Sequence, residues 1–317
     1  MISVVIPTYN RRALVVEAIY SVLQQSVPPG EIIVVDDGST DDTAEKVSHI
    51  ARAYPSLRLL RTEHTGRPGA ARNRGVESAA GEWIGFLDSD DLWTSQKIEA
   101  VLPTLLAGKA LAGGKGGRAG GKEGRAAGSP GVGDVGLVHT RELWLRSGKT
   151  ISQKGQNHAR EGDVFFDALQ KCTIGPSTTV MRRDLYIHSG GFREDLEVAE
   201  DYEFWLRVAA WLPVAYVDQP LTVKRAGHGE QLSEKHGQIE GFRIAALKPL
   251  VDGGYFEGAV PPWAGAPGPG PGKAAARAAA ARAVLAEKCR IYAAGAQKRG
   301  RAAEAAEYHA LAQHYSR

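Results

Sequence analysis

A chain of 317 residues, 43% hydrophobic and 24% charged, excludes wholesale disorder and has room for one large α/β domain or two smaller ones. The net charge of +3 is unevenly placed: residues 108–136 hold five basic and two acidic side chains and 273–317 hold nine and three, so the remainder is net negative, which argues against a nucleic-acid-binding core. The two cysteines, Cys172 and Cys289, cannot make a disulfide framework or a structural zinc site, and without a signal-like start or a long apolar run the expectation is a soluble cytoplasmic protein.

Along the chain, β-rich runs at 2–6, 31–35, 57–60 and 83–87 alternate with helical patterns at 12–25, 42–53, 69–79 and 94–106. This βαβα order predicts an α/β fold, a mostly parallel, Rossmann-like sheet with helices on both faces and ligands at the carboxyl ends of the strands. From Gly108 to Gly136 the pattern stops, with 12 glycines in 29 residues, and a disordered insert is expected. Folded character resumes over 135–144 and continues through a helix at 163–170, a strand at 177–181, a helix at 200–212, a strand pair at 214–217 and 221–224, and a helix at 238–250. Residues 261–272, with five prolines and four glycines, read as part of a linker, and 274–294 and 301–315 as a pair of helices. The expected division is 1–107, an insert at 108–134, 135–252, a linker at 253–272 and a helical hairpin at 273–317.

Five constellations fall where strands should end or a helix begins. After strand one comes Pro7-Thr8-Tyr9-Asn10-Arg11, in which Tyr9 can stack on a base or simply pack; the glycine fingerprint of dinucleotide binding is absent. Strand two ends in Asp36-Asp37-Gly38-Ser39-Thr40. One carboxylate there can cap the next helix or shape a turn, and the other can accept hydrogen bonds from a ribose hydroxyl or a base N–H. The turn at 65–75 enters a helix whose start can face an anion, with Arg72 or Arg74 in reach of phosphate. Strand four ends in Asp88-Ser89-Asp90-Asp91, three crowded carboxylates that need a cation or basic neighbours; oxygen donors in this alternation suit Mg²⁺ or Mn²⁺ carrying a diphosphate. Last, Asp201 in Glu200-Asp201-Tyr202-Glu203-Phe204-Trp205 shares a helical face with Trp205, Val208 and Leu212, so it either complements the helix dipole or borders the reaction site.

Taken in order, VVIPTYNR, VVDDGSTDDT, GRPGAARNRG, FLDSDD and EDYEFWLR resemble the family-two glycosyltransferases, inverting enzymes of GT-A fold, over about 1–106 and 135–233. The resemblance implies a nucleotide-sugar donor, a UDP-sugar by analogy. It implies a base site at Tyr9 and Asp37 with Asp36, Pro7, Arg11 and Ser89 nearby, and a diphosphate and Mn²⁺ or Mg²⁺ at Asp88 and Asp90, with Arg72 near the leaving group. Asp201 is the implied general base, and His228 in the loop 225–233 a candidate metal or phosphate ligand. It further implies a saccharide or glycolipid acceptor at the inner face of a membrane. The rival classes are a nucleotidyltransferase, which would want a glycine- and lysine-rich loop after strand one, and a catalytically silent nucleotide-sugar sensor or scaffold.

Overall fold

The computed structural model describes residues 1–112, 136–146, 148–152, 158–227, 238–258, 260–264 and 270–317, with side chains described to 107 in the first stretch. Most of the expected insert and the candidate ligand His228 lie outside the described residues. The first half follows the predicted order: β1 (Ile2–Thr8), α1 (Arg12–Leu23), β2 (Glu31–Asp36), α2 (Thr43–Ala53), β3 (Leu57–Arg61), α3 (Pro68–Ser78) and β4 (Trp83–Phe86). A two-residue β5 (Leu92–Trp93) and α4 (Lys97–Ala112) come next, the helix running five residues past the expected boundary at 107.

β1 and β2 are apolar on both faces because both faces are covered: Val4, Val5, Ile6, Ile32, Ile33, Val34 and Val35 are fully buried, as parallel strands between two helical layers must be. The strand order β3-β2-β1-β4 is parallel throughout. The chain winds outward from β1 to β3 and then jumps back across β1 to β4. Loops leaving β1 and β4 therefore diverge, and a crevice opens at the carboxyl ends of these two strands.

The second half is β6 (Leu137–Arg146), β7 (Lys149–Ile151), α5 (Phe165–Gln170), β8 (Thr179–Arg182), α6 (Arg183–His188), α7 (Glu200–Ala209), β9 (Ala215–Ala226) and α8 (Ile239–Asp252). β8 pairs antiparallel with β4 and carries the sheet on through β6, β9 and β5. The result is a mixed sheet whose long ladders are parallel. The strand pair expected at 214–224 is one strand. Asp218, Gln219 and Pro220 are exposed at a register shift against Thr140 and Arg141; Pro220 has no N–H for the ladder, so the chain bulges there and resumes pairing instead of turning. The bulge sets Thr222 and Lys224 opposite Glu142 and Trp144.

Two further helices, α9 (Pro271–Lys298) and α10 (Ala302–Tyr315), close the chain. The expected appendage belongs to the larger apolar core, where Ala281, Leu285, Ala286 and Cys289 of α9 are fully buried with Leu247 of α8 and Phe165 of α5. Alanine at these positions lets the helices approach closely. Two buried cations fasten α9: Arg277 donates to Asp163 at 2.8 Å and to the Ala210 carbonyl, and Lys288 donates to the Gln170 carbonyl at 2.9 Å and to Glu240 at 3.0 Å. Within the expected linker, Phe256 is buried edge-on to Phe165. Among the described residues no helix is long and apolar enough to cross a membrane.

The packing of α9 is testable by substitution. Leu285→Ala should lower the free energy of unfolding by about 2–5 kcal/mol, whereas Ile291→Ala, on the half-exposed side of the same helix, should change it by less than about 0.5 kcal/mol. Urea denaturation followed by circular dichroism checks both.

Candidate active site

The loop after β1 is built by Asn10. Its backbone holds a left-handed φ of 49°, a conformation asparagine tolerates better than most residues. Its N–H donates to Ser39 Oγ at 2.9 Å while its Oδ1 accepts from the Thr40 N–H at 2.8 Å. The ends of β1 and β2 are thereby tied together, a role for Asn10 that only the proximity of both motifs to strand ends hinted at. Pro7 is half-buried and Tyr9 projects into solvent, its ring stacked on His64 with centroids 3.9 Å apart.

The two carboxylates at the end of β2 are both engaged inside the protein. Asp36 is fully buried, accepting from the Ser39 N–H at 3.1 Å and pairing with Arg61 at 3.1 Å. Asp37 accepts from the N–H groups of Thr65 and Gly66 at 2.9 Å each and from the Thr65 hydroxyl at 3.0 Å. His64 Nδ1 lies 3.1 Å from its carboxylate, so Asp37 positions the imidazole against which Tyr9 stacks. Gly38 makes this possible: its φ is +73°, and a Cβ there would lie 2.7 Å from the His64 nitrogen.

Beyond β4, Asp88, Asp90 and Asp91 each offer an oxygen within 4.8 Å of the others, with Ser89 buried between them. Basic side chains surround them. Arg11 pairs with Asp90 at 2.8 Å, Arg72 with Asp88 at 2.6 Å, and Lys224 with Asp91 at 3.5 Å; Arg225 donates to the Asp90 carbonyl and to Glu17. Burial pushes the Asp88 carboxyl up, but the charges of Arg72 and Lys224 outweigh it and hold the group below its usual range. Asp91 goes the other way, to about 7, through burial and the like charges of Asp88 and Asp90 against the pull of Lys224. The oxygen-only donor set fits a hard divalent cation, and so does the buried Asp91 Oδ2, which among the described residues accepts no hydrogen bond and meets Lys224 only at 3.5 Å.

Arg72, expected in reach of phosphate, lies on α3 beside the acidic cluster. It is buried, with one arm on Asp88 and the other on Glu200 at 2.6 Å, and its guanidinium lies 5.3 Å from the Phe192 ring centre. α3 can sit this deep because a Cβ at Gly75 would come within 2.3 Å of Val5, and none is there. Burial first, and the neighbouring Asp201 charge, push Glu200 up to about 7 against the pull of Arg72. Arg74, the alternative, is exposed and paired with Glu77.

α7 begins after Ala199, whose φ of 67° is a strained, left-handed conformation for a residue with a Cβ. Asp201 in its first turn is half-buried. Its Oδ1 accepts from the Tyr202 N–H at 2.7 Å and its Oδ2 from the Cys172 thiol at 3.4 Å. Burial, then the Asp201 charge, hold that thiol's pKa well above the ordinary value, so it stays protonated. The same thiol lies 3.2 Å from the Ile174 carbonyl, and three residues on, the Ser177 hydroxyl accepts from the Asp88 N–H at 3.0 Å. Residues 172–177 thus run from Asp201 to the acidic cluster. Beneath them the buried Lys97 donates to the Thr178 carbonyl at 2.6 Å and the Thr140 hydroxyl at 2.8 Å. Lys97 and Lys224 carry no motif that marks them in sequence, since each acts through contacts made across the sheet.

Residues 3–186 match the model of the family described as Glycosyl transferase family 2. An uncharacterized glycosyltransferase of Rickettsia felis is 31% identical over 228 residues, 72% of this chain and 33% of the relative; the chain thus spans about a third of that protein's length. The Escherichia coli UDP-Glc:alpha-D-GlcNAc-diphosphoundecaprenol beta-1,3-glucosyltransferase WfgD is 35% identical over 208 residues, 66% of this chain and 69% of the relative. Among solved structures, residues 1–349 of S. aureus TarS in complex with UDP-GlcNAc superpose with a TM-score of 0.63 at 20% identity, over 91% of this chain and 71% of that one. At that identity the likeness establishes the GT-A fold.

Arg72→Met should cost about 3–5 kcal/mol, because Asp88 would lose its cationic partner and Glu200, already raised to about 7, would have to take up a proton. Arg74→Ala, at an exposed pair, should cost less than about 0.5 kcal/mol. Chemical denaturation of the two variants compares them directly.

Proposed function

The chain belongs to glycosyl transferase family 2, and from that membership we propose that it transfers a sugar from a nucleoside-diphosphate donor, a UDP-sugar, to a hydroxyl of a saccharide or glycolipid acceptor with inversion at the anomeric carbon. The observation that carries this reading is the placement of Asp201 and the acidic cluster at the two ends of segment 172–177. The activity for which WfgD is named and the UDP-GlcNAc bound to TarS favour a UDP-sugar donor, and the diphosphoundecaprenol acceptor of WfgD favours a lipid-linked one.

In this reading the stacked Tyr9 and His64 receive the base, with Pro7 lining that end and Asp36 and Asp37 holding the surrounding loops. Asp90 with Asp88 would hold Mn²⁺ or Mg²⁺, which when bound neutralises charge on the diphosphate. Arg11 and Arg225 stand beside Asp90 and meet the negative charge that develops on the departing diphosphate. The acceptor oxygen attacks the anomeric carbon from the face opposite the diphosphate; the new C–O bond forms as the bond to the phosphate oxygen breaks, and the hydroxyl proton passes to Asp201.

Asp201 is a better base than its neighbour Glu200 for a geometric reason. Glu200 is buried and fixed to Arg72. Asp201 Oδ1 is held by the helix N–H, which orients the carboxylate, and Oδ2 carries only the weak thiol hydrogen bond.

Asp201→Asn preserves size and most of the first-turn hydrogen bonding, so stability should change by at most about 1 kcal/mol while transfer falls by roughly 10² or more with little change in donor affinity. Steady-state UDP release and donor titration measure both. Asp90→Ala should abolish the stimulation of UDP release by added Mn²⁺ while the melting temperature stays within a few degrees, because removing one of three mutually repelling carboxylates relieves repulsion in the metal-free protein.

A further inference from the structure

The chain has six tryptophans. Trp83 and Trp93 are buried in one apolar core, Trp205 and Trp211 in the other, and Trp263 packs against the second. Trp144 alone belongs to neither core and is only half-buried. Leaving a large aromatic surface in contact with water is unfavourable, so its position calls for a partner.

Trp144 lies on β6 opposite Lys224 of β9, with Glu142 two residues earlier on the same face. Its indole N–H donates to Glu142 Oε1 at 2.7 Å, which fixes the plane of the ring, and Lys224 Nζ lies 5.6 Å from the ring centre. The same Nζ is 3.5 Å from Asp91, so the ring adjoins the acidic cluster. On its other strand neighbour, Ile151 faces it from β7 and is exposed. Gly175, within the segment joining Asp201 to Asp88, comes so close that a Cβ would lie 3.2 Å from Lys224 Cε and 3.5 Å from Glu142 Oε2. Having no side chain, it lets Lys224 and Glu142 pack against that segment beside the ring.

We propose that Trp144 is the platform of an acceptor subsite that binds a pyranose ring, with Glu142 and Lys224 as its polar rim. A pyranose presents a face of C–H groups bordered by hydroxyls. An indole face flanked by Ile151 matches the apolar part, while the carboxylate at its edge and the ammonium over the ring match the hydroxyls. Placed there, the sugar stands next to the segment that ends at Asp201, where its hydroxyl would be deprotonated. The inference deepens the glycosyl-transfer reading and rests on it.

The test uses the full chain with a UDP-sugar, Mn²⁺ and a panel of acceptor probes: methyl β-D-glucopyranoside, methyl β-D-galactopyranoside, N-acetylglucosamine and the acyclic polyol sorbitol. First, hydrolysis of UDP-sugars by the wild type establishes the reading itself. If none is hydrolysed or transferred, that reading falls and the subsite with it. Given donor turnover, a pyranoside should serve as acceptor better than sorbitol, Trp144→Ala should raise its KM by roughly tenfold or more with donor KM changed less than about twofold, and Trp144→Phe should recover most of the loss. Pyranosides no better than sorbitol, an acceptor KM unchanged in Trp144→Ala, or a rise confined to the donor KM would each overturn the subsite while leaving glycosyl transfer in place. Should Trp144→Ala fail to fold, Trp144→Phe and Glu142→Gln carry the same KM comparison.

Discussion

The guanidinium of Arg72 joins two carboxylates that the chain brings together from opposite halves: Asp88, at the end of the parallel half of the sheet, and Glu200, at the start of α7. A planar fork with fixed donor directions holds both at once, which a lysine cannot do. Because the bridge is buried, losing one member would strand a charge in a poorly solvated place. Much of the crevice hangs from it. Asp88 positions the acidic cluster and, through its N–H, Ser177; Glu200 fixes the first turn of α7, and with it the neighbouring Asp201.

Around that bridge the site is an alternation of charges in which each carboxylate of the cluster has a basic partner from a different element: Arg11 after β1, Arg72 on α3 and Lys224 on β9. Three acidic side chains can therefore stay folded beside one another without a bound ion, and remain available to one. The long 3.5 Å pairing of Asp91 Oδ2 with Lys224 and the elevated pKa of that group record burial first, and then the repulsion that the cations do not remove. In the proposed reaction, Arg11 and Arg225 change partners from carboxylate to diphosphate, so the residues that stabilise the empty site also serve the filled one.

Much of this was legible in the sequence, because strand ends in a parallel sheet are marked by apolar runs that stop abruptly. Asp36, Asp37, Asp88 and Asp90 could be placed on that ground, and Asp201 by its helical spacing to the buried Trp205. What escaped was decided by tertiary packing. Whether an arginine on α3 faces solvent or the interior depends on how closely the helix meets β1, which Gly75 settles; that Arg72 braces Asp88 against Glu200 was therefore not legible. Lys224, Lys97 and Trp144 have their roles only because β6 and β9 lie side by side in a particular register, and Pro220, read as a turn, produced a bulge that sets that register. The C-terminal helices were legible as an appended pair, but alanine gives little apolar signal, so the close-packed alanine faces that seat α9 in the core were not.

All of these elements converge on one claim, that a single displacement is run with Asp201 taking the acceptor proton. The stereochemistry of the product tests it most directly. With a donor whose pyranose is α-linked to the diphosphate, the proton NMR coupling of the transferred sugar's anomeric hydrogen should report a β-glycoside. An α-glycoside would mean that configuration is retained, and would contradict single displacement with Asp201 as its base.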